Sequence, residues 1–133
     1  MPQFRARTLA GVLSSLLVAA PAFAENANCR FDSFRGAATA IGAETTMHVR
    51  NTGEPCAIRN FGLPAEHSHP ATSGRITREP AHGKADFVAP DATYVPTPGY
   101  VGEDAFAYEA RAVGASDRPL FLSVRVKVLV SAP

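Results

Sequence analysis

Beyond residue 24 the chain alternates apolar and polar positions with a period of two, and no stretch keeps a 3.6-residue apolar period long enough for a helix. The last long run shows it best. Leu120, Leu122, Val124, Val126, Val128 and Val130 share one face, and Phe121, Ser123, Arg125, Lys127 and Leu129 share the other. Branched apolar residues opposite charged ones describe a strand with one buried and one wet side. Ala105–Arg111 repeats the pattern, with Phe106, Tyr108 and Ala110 set against Ala107, Glu109 and Arg111. Thr45–Arg50 places Thr45, Met47 and Val49 against Thr46, His48 and Arg50.

Shorter strands are expected at Arg30–Phe34, Cys56–Asn60, Gly74–Glu79, Lys84–Ala89 and Ala92–Pro96, each ending in turn chemistry. Turns are expected at Asn51–Pro55, Pro80–Gly83, Pro90–Asp91 and Gly114–Pro119, while Phe61–Ser73 reads as one long loop. This spacing predicts an all-β, immunoglobulin-like two-sheet sandwich of about seven strands, with a small closed barrel as the alternative.

The first 24 residues read differently. Arg5 and Arg7 form a basic start, and Leu9–Ala20 is an apolar run of 12 residues, too short to cross a bilayer. Pro21 breaks the run, and Ala22-Phe23-Ala24 has the small-x-small form of a cleavage site. The expectation is a signal peptide at 1–24, a single domain at 25–133, and a periplasmic or secreted protein with no stable membrane insertion after cleavage. Losing Arg5 and Arg7 leaves 11 basic and 12 acidic side chains, a formal charge of −1. Such a balance gives no electrostatic footprint for nucleic acid.

Cys29 and Cys56 are the two cysteines, both in the exported part. In an oxidising compartment an even pair is expected to form a disulfide, worth about 3 kcal/mol at this loop length. Half of a metal site, or two free thiols, are the other readings of the same pair. The absence of Cys-x-x-Cys removes support for a thioredoxin-like role.

The most specific stretch is Tyr94-Val95-Pro96-Thr97-Pro98-Gly99-Tyr100-Val101-Gly102-Glu103-Asp104-Ala105-Phe106-Ala107-Tyr108. Tyr94 ends a strand that Pro96 and Pro98 prevent from pairing further. Gly99 and Gly102 supply positive-φ turns, and Asp104 is expected to bond backbone N–H groups of the same loop. Phe106 and Tyr108 then enter the core. The stretch resembles the Tyr-x-Pro-x-x-Gly-(Phe/Tyr)-x-Gly-x-Asp-x-Phe-x-Tyr signature of bacterial immunoglobulin-like and cadherin-like domains, and Pro80–Lys84 resembles the turn preceding it. The resemblance covers Arg75–Val130 well and Cys29–Asn60 loosely. It implies a sandwich with a non-enzymatic binding or envelope-structural role, without naming a ligand. Calcium-binding relatives carry Asp-rich linkers, whereas this chain has no Asp-x-Asp or Asp-x-Asn cluster.

Catalytic chemistry is not proposed by any motif. Ser116 sits in Gly114-Ala115-Ser116-Asp117, which is no nucleophile elbow, and Gly83-Lys84 lacks the rest of a phosphate loop. Adjacent Glu103 and Asp104 point to opposite faces of a strand and cannot share a task. No cofactor is expected. The metal alternative is a small periplasmic copper protein using His67 and His69, with Met47-His48 nearby. The preferred reading places the site in the long loop, where Phe61 and Leu63 are followed by Glu66, His67 and His69. The expected partner is an unidentified protein or envelope component, with the two imidazoles making contact sensitive to acid.

Overall fold

The computed structural model describes Gly11, residues 27–62 and residues 69–133. The signal segment, apart from Gly11, and the loop positions Leu63, Glu66 and His67 lie outside the described residues. Eight strands follow in chain order: β1 (Cys29–Phe31), β2 (Ala43–Arg50), β3 (Cys56–Arg59), β4 (Ser73–Arg78), β5 (Gly83–Val88), β6 (Asp91–Pro96), β7 (Gly102–Val113) and β8 (Pro119–Ser131). They form a five-stranded sheet, β1-β2-β8-β7-β4, and a three-stranded sheet, β3-β6-β5. Only β2 and β8 pair in parallel; the other neighbours are antiparallel. This is an immunoglobulin-like sandwich of two open sheets, so the closed-barrel alternative fails.

The alternation explains why the sheets pack. Phe106, Tyr108, Ala110, Leu122, Val124, Val126, Val128, Val130, Met47 and Val49 are buried, and Arg125 and Lys127 face solvent on the opposite register. Four of the shorter strands stop one to three residues earlier than expected, at Phe31, Arg59, Arg78 and Val88, and side chains bond the backbone just beyond the first two. After Phe31 the Asp32 N–H still donates to the Thr46 carbonyl at 2.9 Å, while the Thr45 hydroxyl donates to the Asp32 carbonyl at 2.6 Å. After Arg59 the Asn60 side-chain amide folds back onto the Ile58 carbonyl at 2.9 Å and the Pro90 carbonyl at 3.2 Å.

Cys29 and Cys56 form a disulfide, joining β1 at one edge of the larger sheet to β3 at the neighbouring edge of the smaller. This bond points to an oxidising, non-cytoplasmic compartment. No helix among the described residues is long and apolar enough to cross a membrane.

The core is graded along the strands. Its middle and one end hold Tyr94, Phe106, Tyr108, Met47 and Val49. Towards the other end, the buried inward positions of the larger sheet and its approach shrink to Ala43, Ala71, Ala110 and Ala112, with Leu122 the largest. Sheets packed about 10 Å apart need large side chains to fill the gap. Here Phe87 of the smaller sheet and Leu120 pack against the alanines.

Candidate functional site

At the large-residue end the loops are bonded to one another. Asp104 is buried, and its carboxylate accepts hydrogen bonds from the backbone N–H of Ala81 (2.9 Å), His82 (3.0 Å) and Ala105 (2.9 Å) and from the Tyr94 hydroxyl (2.7 Å). Its loop partners are therefore in the β4–β5 turn, not in the Pro96–Gly102 loop that the sequence suggested. Burial pushes this carboxyl up, but the Tyr94 hydroxyl and the three N–H groups outweigh it and hold Asp104 below the usual carboxylate range. Tyr94 is pushed well above the ordinary phenol range, first by burial and then by Asp104.

The remaining signature residues serve the same closure. Asn51 donates from its side chain to the carbonyls of Thr97 (2.8 Å) and Tyr100 (3.1 Å). The Tyr100 ring stacks on His82 with centroids 4.1 Å apart, and its hydroxyl donates to the Glu103 carbonyl at 2.5 Å. Pro96 is buried at the end of β6, and Gly99 and Gly102 take the positive φ their turn requires. Phe106 stacks against Tyr94 in the core. Tyr94, Pro96, Gly99, Tyr100, Gly102, Asp104, Phe106 and Tyr108 thus shut and fill one end.

The opposite end carries the β1–β2 loop, the β3–β4 loop and the β5–β6 and β7–β8 turns. Phe61 and His69 lie at the base of the β3–β4 loop. Phe61 bridges Pro70, the Gly62 N–H donates to the His69 carbonyl at 2.6 Å, and the Ala71 N–H donates to the Asn60 carbonyl at 2.9 Å. The segment expected as one featureless loop is therefore pinned at its neck, and β4 begins within it at Ser73. Asn60 anchors the neck: buried, it accepts from the Tyr108 hydroxyl at 2.7 Å. Burial pushes the Tyr108 phenol up, and the bond to Asn60 offsets part of that shift. Gly62 is held against β7 so closely that a Cβ there would sit 1.8 Å from the Val113 carbonyl oxygen.

Between this neck and the β1–β2 loop opens a groove of about 410 Å³, lined by Phe34, Arg35, Gly36–Thr39, Arg59–Gly62 and Leu122. Its apolar lining is Leu122 from the core, Ala37 and Ala38 from the β1–β2 loop, and the Phe34 and Phe61 rings. Arg59 is paired with Asp91 at 3.1 Å. Among the described residues Arg35 makes no ion pair. A larger depression of about 520 Å³ crosses the outer face of the five-stranded sheet, over Ala105 and Ala107. Its walls are already engaged: Arg125 pairs with Glu44 at 3.1 Å, and Lys127 pairs with Glu103 outside it at 3.4 Å.

The metal alternative loses its third contributor. Met47 is fully buried while His48 faces outward, 3.4 Å from Asp32, so the Met47-His48 dipeptide does not present both side chains to one ligand. Among the described residues no group of three or more His, Cys, Asp or Glu is placed to hold a metal. The sequence missed the β1–β2 loop as half of the groove. The signal was the run of small residues Gly36-Ala37-Ala38 directly after Phe34-Arg35. No protein family, curated protein or solved structure matches this chain.

Proposed function

We propose that the protein is an exported, non-enzymatic recognition domain of the bacterial immunoglobulin-like kind, acting in the periplasm or outside the cell. Its partner engages the end that carries the groove. One observation carries this reading: a concavity with apolar lining sits beside the pinned neck of the β3–β4 loop. Sandwiches place specificity in loops held by their scaffold, and here the neck is held by Asn60, Gly62 and Tyr108. The signal-like start and the disulfide support export, and the Tyr94–Tyr108 signature supports the family. Binding fits better than catalysis because Asp104, the buried carboxylate, is committed to four structural hydrogen bonds.

The test is site-directed photo-crosslinking in intact cells, with a crosslinking phenylalanine analogue at Phe61 or at Val101. Phe61 borders the groove, and Val101 is an exposed apolar residue on the closed end. Adducts are expected from Phe61 alone. Adducts from Val101, or equal yields at both, would reject this assignment of the binding end.

A further inference from the structure

We propose that the groove binds a single-chain carboxylate, an apolar tail bearing one terminal anion. This rests on the reading of the groove-bearing end as the recognition surface. Three observations select the ligand. First, size: about 410 Å³ lies within the roughly 300–1,000 Å³ of small-ligand sites. Second, the groove has apolar lining: Phe34, Ala37, Ala38, Phe61 and Leu122 contribute to it. Third, charge: Arg35 and Arg59 are among the described lining residues, no described carboxylate is, and Arg59 is neutralised by Asp91. The unpaired guanidinium of Arg35 is complementary to one anion beside an apolar tail.

The lining shows why a tail fits. Leu122 reaches the groove from a buried cluster with Ala71, Ala110 and Ala112, against which Ala37, Phe87 and Leu120 pack. Phe34 and Phe61 add ring surface to the same groove. A flexible alkyl chain follows such a slot, and burying it supplies most of the affinity.

The experiment follows backbone amide shifts of the oxidised protein titrated with sodium decanoate below its micelle concentration, with decyltrimethylammonium as the cationic control. Decanoate is expected to give saturable shifts at Arg35–Thr39, Phe61, Gly62 and Leu122, with the cation at least about fivefold weaker. Arg35→Glu should reverse that order. Ala38→Leu, at an exposed rim position, should abolish the shifts without lowering the melting temperature. Equal binding of both amphiphiles would overturn the carboxylate assignment while leaving the groove as an apolar site. No shift at these amides would overturn the ligand class altogether, and crosslinking at Phe61 would still decide the recognition reading. A peptide ending in Leu-Phe with a free carboxylate, displacing decanoate at much lower concentration, would replace the free amphiphile with a polypeptide end.

Discussion

The two ends of this sandwich are built on opposite economies of side-chain size and hydrogen bonding. At one end Tyr94 and Phe106 occupy the gap between sheets, and Asp104 and Asn51 bind loop to loop. At the other, the buried positions of the larger sheet are mostly alanine, a glycine lets the neck press on β7, and a groove stays open. The closed and the open half are thereby separated along one strand pair: β7 and β8 run from Gly102 and Ser131 at the closed end to Val113 and Pro119 at the open one. A recognition surface needs exposed apolar area, which costs stability, and a well-filled far end supplies the compensation.

The sharpest way to break this comparison is to truncate one large residue in each half. Phe106→Ala should destabilise the protein by about 3–5 kcal/mol, because Tyr94 and Tyr108 rings on either side cannot collapse into the void. Leu122→Ala should cost about 2 kcal/mol, since its surroundings are small and already open to the groove. Chemical denaturation measures both. Equal losses would mean that the core is uniform and that the graded packing has no energetic content. Arg125→Ala, on the outer register, sets the baseline at about 0–1 kcal/mol.

Next in size is the disulfide. Replacing both Cys29 and Cys56 by Ala should cost about 3 kcal/mol, from the freedom returned to the unfolded chain across a separation of 27 residues. β1 keeps its ladder to β2 without the bond, with Asn28 and Asp32 bonded to β2 on either side. The urea midpoint should therefore fall while the decanoate-responsive amides of the groove keep their positions. A groove that collapses with the disulfide would show that the two ends are not independent.

Much of the scaffold was legible before any coordinates. Period-two alternation located the long strands and their buried faces, because one-sided burial writes itself directly into the residue order. Cysteine parity gave the correct pair. The signature segment was recognised as a unit, yet the partners of Asp104 were misplaced, since Ala81 and His82 lie 23 and 22 residues away and only the folded sheets bring them near. The parallel pairing of β2 with β8 brings Glu44 to Arg125 across 81 positions and leaves no local mark. The groove was illegible for a related reason. It arises where the β1–β2 loop meets the neck after β3 and Leu122 of β8, and such a meeting of distant segments has no periodicity.

Asp104 offers a test of the closed end alone. Asp104→Asn should cost about 2 kcal/mol near neutral pH, because the new amide nitrogen faces an N–H or hydroxyl group that the carboxylate had accepted from. The pH profile distinguishes charge from packing. The folded Asp104 carboxyl titrates below the unfolded value of about 3.9, so its contribution is complete above about pH 5 and is lost as the pH falls through the folded value. Tyr94 has the opposite sign: its raised phenol contributes below about pH 10 and loses that contribution above it. The Asn variant should therefore show a flatter acid limb. Acid limbs that run parallel in the two proteins would remove Asp104 as the lock of this end.

The smallest expected effect lies in the turn that joins β7 to β8 at the open end. Ser116 and Asp117 both have positive φ, 56° and 57°, and the Arg118 N–H donates to the Ala115 carbonyl at 3.3 Å. Two consecutive left-handed residues closed by such a bond form a type I′ turn, whose twist matches the flanking strands. Left-handed backbone is unfavourable for Ser and less so for Asp, whereas Asn-Gly adopts it readily. Ser116→Asn combined with Asp117→Gly should therefore stabilise the protein by about 1 kcal/mol, read as a rise in the denaturation midpoint. The turn touches neither the groove lining nor the Asp104 network, so decanoate shifts and the acid limb should both stay as they were. A gain in stability accompanied by loss of decanoate binding would tie this turn to the recognition surface. It would then move the boundary between the two halves of the molecule past Val113.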